Sequence, residues 1–175
     1  GNSTWVTNGD NGSIYTSSDT NSWDNRTSGT TKYLQGVSFG NNTFVTVGGS
    51  GTILTSSNGI SWTSRTSGTS TELTAVTYGN GIFLTVGDAG TILTSTDGIT
   101  WTARNSGTTR SLFGVTYGNN TFVTVGGWDI GTILTSTDGS TWTTRTSGIS
   151  ITPRFIYGNS TLVTTGITLA RVIYG

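Results

Sequence analysis

Four arginines, Arg26, Arg65, Arg104 and Arg145, each follow a tryptophan by three residues (Trp23, Trp62, Trp101 and Trp142). Guanidinium groups recurring at one position could grip carboxylates through paired hydrogen bonds. Hydrolysis of a glycoside asks for more: two correctly spaced carboxylates, or a tyrosine nucleophile supported by a glutamate. The only glutamate, Glu72, sits in a loop sequence beside Leu73 with no obvious partner. No catalytic residue is assigned, and the chain reads as a non-enzyme. Cys and His are absent, so zinc, haem, iron–sulfur and thiol chemistry lack their usual ligands. Asp10, Asp88 and Asp129 stand far apart in the chain and form no visible metal constellation, so neither a metal nor a cofactor is expected.

Eight basic residues balance eight acidic ones, and only 9% of the 175 residues are charged, against about 25% in an ordinary soluble domain. Without a polybasic stripe, nucleic-acid binding is not expected. No apolar run approaches the roughly 18 residues of a membrane span, and no signal-peptide pattern opens the chain. A composition rich in Thr, Ser, Gly and Asn suits an extracellular, cell-surface or virion-surface protein. Sequons at Asn2, Asn11, Asn25, Asn41, Asn119 and Asn159 would matter only in a glycosylating host.

A repeat positions these residues. The four tryptophans stand 39, 39 and 41 residues apart, inside the phrases WDNRTSG, WTSRTSG, WTARNSG and WTTRTSG. A second phrase runs in step: GNNTFVT from Gly40, GNGIFLT from Gly79, GNNTFVT from Gly118 and GNSTLVT from Gly158. The chain opens on the same phrase, GNSTWVT, so residue 1 already lies inside a repeat; without an initiator Met, it reads as a processed chain or a piece of a longer one. One length irregularity stands out, Trp128-Asp129-Ile130, where the other repeats have a shorter turn.

Within a repeat, short β-branched runs alternate with Gly, Asn and Asp turns: LTAVTY, FLTV, TILTS and WTAR, here called strands A to D. No stretch shows helical periodicity. Four short strands in a meander cannot cover both faces of their own sheet, so copies must stack, and radial stacking gives a β-propeller. The fold class is therefore all-β, a propeller of four-stranded antiparallel blades, four to five in number with incomplete ends. It forms one domain over 1–175, with repeats near 1–39, 40–78, 79–117 and 118–157 and a partial copy at 158–175. Closure stays open between three arrangements. Strand 151–157 could complete the first blade of four, five blades could have two incomplete, or the chain could be one segment of a larger propeller or assembly.

The phrases STDGITW ending at Trp101 and STDGSTW ending at Trp142 resemble the Asp-box, or BNR, repeat of sialidase-like and photosystem-assembly-factor-like propellers. SSNGISW ending at Trp62 and SSDTNSW ending at Trp23 are further copies, with Asn58 in place of Asp and Thr20 in place of Gly; all are one residue shorter than the usual box. The resemblance implies that Asp19, Asn58, Asp97 and Asp138, with Trp23, Trp62, Trp101 and Trp142, are folding elements of the C–D turn. It also implies that strand A is innermost and strand D outermost, which makes the four arginines edge charges that discourage sheet pairing. A sialidase-type site would further need a Tyr–Glu pair and an acidic Asp, which the sequence does not offer.

The box tryptophans read as rings buried between sheets, each N–H meeting a turn carbonyl. Trp5, Phe44, Phe83 and Phe122 share one B-strand slot and read as core. Gly36, Ala75 and Gly114 share an A-strand slot where blades crowd the axis, and Arg154 after Pro153 breaks it.

Chain direction puts D–A loops and B–C turns on one rim and A–B and C–D turns on the other. The second rim is monotonous, whereas the first carries the differences between copies. Its candidate ligand-binding residues are Trp128, Asp129, Asp88, Asp10, Lys32, Glu72 and Arg110. The function expected is a non-catalytic structural or adhesion module binding a partner through that rim. Its partner is a protein, including itself through open edge strands, or a surface glycan. A lectin-like propeller is the alternative, and a sialidase-type hydrolase comes far behind.

Overall fold

The structure, a computed structural model, describes residues 3–128 and 131–146 and the strand segments 156–157, 162–164 and 170–172. Its strands follow the predicted A-to-D order. The first sheet holds B, C and D strands: β1 (Trp5–Asn8), β2 (Ile14–Ser17) and β3 (Asp24–Arg26). The second is complete: β4 (Leu34–Gly40), β5 (Thr43–Gly48), β6 (Thr52–Ser56) and β7 (Thr63–Arg65). So is the third: β8 (Leu73–Gly79), β9 (Ile82–Gly87), β10 (Ile92–Ser95) and β11 (Thr102–Arg104). The fourth has β12 (Leu112–Gly118), β13 (Thr121–Gly126), β14 (Thr132–Ser136) and β15 (Thr143–Arg145). A last sheet of β16 (Ile156–Tyr157), β17 (Leu162–Thr164) and β18 (Ala170–Val172) has A, B and C strands. Among the described residues no strand pairs the first sheet with the last. Arg154 and Pro153 lie outside the described residues.

Local chemistry sets the turns. Each described A–B hairpin places two residues at positive φ: Asn41 and Asn42 (44° and 54°), Asn80 and Gly81 (48° and 78°), or Asn119 and Asn120 (46° and 56°). Paired left-handed residues are what a two-residue type I′ turn requires, and its twist matches the strands it joins. The B–C connections at Asp10–Gly12, Gly49–Gly51 and Asp88–Gly90 are single tight turns whose central residues, Asn11, Ser50 and Ala89, are left-handed (φ 54°, 55° and 52°).

Packing explains why the sheets lie side by side. Val45, Val47 and Ile53 of the second sheet form one core with Leu73, Val76, Phe83 and Leu93 of the third. Leu84, Val86 and Ile92 carry the pattern on to Leu112, Phe122 and Leu134 of the fourth. Each central strand is thus covered on both faces, so β5 and β9 are buried almost throughout rather than on alternate residues. Full burial of a phenyl ring such as Phe83 stabilises the fold by about 1.5–3 kcal/mol.

The A strands meet one another at the centre. A Cβ on Gly36 would lie 3.1 Å from the Ala75 backbone, and one on Gly79 would lie 2.2 Å from the Tyr117 ring. Gly36 is small because a neighbouring backbone approaches closely, and Gly79 because a tyrosine ring lies over it. Every complete A strand also carries a bulge after its leucine, so that Gln35, Thr74 and Phe113 are extra residues. The next carbonyl in the strand, of Gly36, Ala75 or Gly114, accepts a bond of 2.8–2.9 Å from the buried hydroxyl of Thr46, Thr85 or Thr124.

Two expectations about the core fail at the first sheet. Phe44, Phe83 and Phe122 are buried, but Trp5 in the same slot is 58% exposed. Trp23 is also exposed, whereas Trp62, Trp101 and Trp142 are half-buried against the neighbouring core. The difference is positional: among the described residues no A strand pairs with β1.

Candidate functional site

The C–D turns are closed devices. Asp97 Oδ1 accepts the amides of Ile99 (2.8 Å) and Thr100 (2.9 Å), and Ser95 Oγ accepts that of Gly98 at 2.8 Å. Trp101 Nε1 donates back to the Gly98 carbonyl at 3.0 Å. Asp19 and Asp138 repeat the arrangement, and Asn58 reproduces it with an amide oxygen. Backbone N–H donors, led by Thr100, hold the Asp97 carboxyl below its ordinary range, and Asp19 and Asp138 are lowered for the same reason. These oxygens are spent on the turn and have little left for a ligand.

The recurring arginines are also engaged locally. Nε of Arg26, Arg65, Arg104 and Arg145 donates to a C-strand threonine hydroxyl (Thr16, Thr55, Thr94 or Thr135) at 2.7–2.9 Å. They lie on the outermost strand of each sheet, far in the strand order from the A strands. A convergent arginine cluster does not form from them.

The B–C and D–A rim is different. Glu72 has partners that the sequence did not reveal: the Gln35 side-chain amide donates to its Oε1 across two sheets. Interaction with the same carboxylate, burial and the nearby Asp88 charge push the Tyr33 phenol up to about 12, while Gln35 pulls the other way. Tyr33 lies over the Gly49 turn, where a Cβ would come within 2.8 Å of its ring. Tyr33, Gln35, Glu72 and Asp88 therefore make one polar cluster between the second and third sheets. At neutral pH this phenol is protonated and able to donate a hydrogen bond.

On the fourth sheet of the same rim, Trp128 meets Phe113 edge-on, with ring centroids 4.7 Å apart, while 63% of Trp128 stays exposed. Lys32 is exposed, and its backbone amide donates to Thr30 Oγ1. Arg110 is half-buried, its amide bonded to Thr108 Oγ1. Asp10 lines a groove of about 1060 Å³ on the first sheet with Tyr15 and Arg26, apart from the Tyr33 cluster. Asp129 lies outside the described residues. Of the sequence candidates, Glu72 and Asp88 are thus brought together, and Trp128 stands on a neighbouring sheet.

Sequence reasoning missed Tyr33, Gln35 and Phe113. A signal was present for the last two: Leu34 and Val37, like Leu112 and Val115, are spaced by three where strict alternation needs an even number. That phase break marks the bulge that turns Gln35 and Phe113 onto the rim.

No family model and no curated protein matches the chain. Among solved structures it is similar to YCF48 bound to D1 peptide, with TM-score 0.68 and 17% identity over 91% of this chain and 59% of that one. It is also similar to YCF48 from Cyanidioschyzon merolae, with TM-score 0.69 and 18% identity over 94% of this chain and 60% of that one. The computationally designed Ika8 protein aligns with TM-score 0.64 and 14% identity, covering 92% and 54%. The fold is a β-propeller, and the chain spans about three-fifths of the length of the YCF48 chains.

Proposed function

We propose that this chain is a non-catalytic, protein-binding propeller module that takes its partner on the rim of B–C turns and D–A loops. The carrying observation is that the repeat-specific side chains Tyr33, Gln35, Glu72, Phe113 and Trp128 gather on that rim. The opposite rim repeats the same closed turns. Aromatic anchors beside a fixed carboxylate are the composition of an interaction hot spot. A solved propeller of similar fold carries a bound peptide, which supports a polypeptide as the class of ligand. The charge-poor composition supports an adhesion or scaffold role outside the cell or on a virion surface.

Selection of a displayed peptide library on the immobilised chain tests this. Enriched peptides should lose at least tenfold in affinity with Trp128→Ala or Glu72→Gln and keep it with Asp97→Asn on the opposite rim. Binders indifferent to both rim changes would sink the reading. The Trp128–Phe113 pair also suits a sugar face. Saturable binding on a glycan array, abolished by Trp128→Ala, would install the lectin alternative instead.

A further inference from the structure

Asparagine followed by glycine occurs four times, at Asn8-Gly9, Asn11-Gly12, Asn58-Gly59 and Asn80-Gly81. Such a pair can close on itself. The backbone nitrogen of the glycine attacks the side-chain carbonyl carbon of the asparagine, and a glycine puts no Cβ in the way. Closure needs three freedoms. The glycine amide must be free of an acceptor, the asparagine side chain must turn, and the peptide between them must have room to swing.

The fold withholds these freedoms at three of the four pairs. Asn8 is half-buried and donates through Nδ2 to the Gly36 carbonyl (3.2 Å) and to Thr46 Oγ1 (2.8 Å). The Gly9 amide donates to the Ser13 carbonyl at 3.0 Å. In the second C–D turn, Asn58 Oδ1 holds the Ile60 and Ser61 amides, and the Gly59 amide donates to Ser56 Oγ at 2.8 Å. Asn11 is exposed, but Gly12 is buried, and a Cβ on it would lie 2.0 Å from the Thr30 carbonyl oxygen, which leaves the peptide no room to swing. Asn80-Gly81 is different. Both residues are exposed at the tip of the third sheet's A–B hairpin, and nothing lies within 4 Å of where a Gly81 Cβ would stand. The Asn80 side chain is held by a long bond, from Nδ2 to the Thr137 carbonyl at 3.4 Å.

We infer that Asn80 is a self-modification site, converting to aspartate and isoaspartate in the folded protein ahead of the other three pairs. The Gly81 nitrogen gives its proton to solvent base and bonds to Asn80 Cγ. The Cγ–Nδ2 bond breaks, and the nitrogen leaves as ammonia with a proton taken from water, so that a five-membered imide remains. Water then opens the imide at either carbonyl. One opening gives aspartate; the other routes the main chain through the side chain and adds a carbon to it. Both products alter the seam between the third and fourth sheets. Aspartate replaces the donor to the Thr137 carbonyl with a carboxylate, beside the carboxylate of Asp138. Isoaspartate makes the main chain too long for the two-residue turn that pairs Gly79 with Ile82. The site lies on the rim of closed turns and does not depend on the proposed binding rim.

Incubation of the full chain in mildly alkaline buffer, followed over time by peptide mapping with mass spectrometry, tests this. The mass gain that marks exchange of ammonia for water should appear first in the peptide holding Asn80, as two separable products. It should run at least tenfold faster there than at Asn8 or Asn58. In denaturant the four pairs should react at like rates, since the fold makes the selection. Gly81→Asn should slow the gain at residue 80 at least tenfold. That variant keeps its hairpin, because Asn42 and Asn120 hold the same left-handed position in the other two. A folded chain that gains mass first at Asn8, Asn11 or Asn58, or that leaves Asn80 intact while the unfolded chain reacts, would overturn the inference. So would the same order of reaction in and out of denaturant.

Discussion

At the residue scale, the informative side chain is Tyr33. Interaction with Glu72 raises its folded-state pKa to about 12 from an ordinary 10. A raised phenol favours the protonated form in the fold. The interaction therefore contributes stability that is complete below pH 10 and is lost as the pH climbs through 12. Denaturant titrations between pH 9 and 12 should show stability falling over that window, and Tyr33→Phe should flatten the fall. Parallel losses in variant and parent would remove the Tyr33–Glu72 link. Part of this cluster was legible in the sequence. Tyr33 and Glu72 are 39 residues apart, hence in one slot of consecutive repeats on one rim. What spacing could not show is reach: whether a side chain extends across the gap between sheets depends on blade separation and rotamer. The same limit hid the exposure of Trp5, because slot equivalence assumes that each slot has the same neighbours.

At the element scale, the C–D turn is a unit whose parts can be exchanged. Asn58 already performs the acceptor role of Asp97, with bonds to Ile60 and Ser61 of 2.8 and 3.0 Å. Asp97→Asn should thus leave thermal stability near neutral pH almost unchanged, while Asp97→Ala strands two amides and should cost about 1 kcal/mol. The two differ in acid. The lowered carboxyl pKa of Asp97 contributes stability that is present above about pH 4 and lost as the pH falls through the folded-state value. The Asn variant lacks that contribution to lose, so its acid unfolding curve should be shallower than that of the parent. Identical acid limbs would mean that the turn carboxylate carries no linkage. Strand order and turn positions were readable because Gly, Asn and Asp punctuate β-branched runs at fixed intervals. Strand faces were less so. β5 and β9 are covered on both sides, and continuous burial erases the alternation from which a face is read.

At the scale of the whole molecule, the question is whether the sheets form a ring of fixed circumference or an extendable arc. Among the described residues the first sheet shows no A strand, the last shows no D strand, and no ladder joins the two. The two larger internal interfaces use like parts: Val45, Val47 and Ile53, or Leu84, Val86 and Ile92, pack against leucines, a phenylalanine and the C–D-turn tryptophan of the next sheet. Stability in such an array sums over units and nearest-neighbour interfaces. An arc should therefore accept one more blade without strain. A second copy of residues 79–117 inserted between Tyr117 and Gly118 preserves the VTY-G phrase at both junctions. The enlarged chain should unfold at an equal or higher denaturant midpoint, with an m-value greater by roughly a fifth, in proportion to the added surface. A closed ring responds oppositely, since an extra blade must widen every interface and loosen the packing of the A strands around the axis. A lowered midpoint, or unfolding split into two transitions, would show that the end sheets meet and that β1 has its partner within the chain.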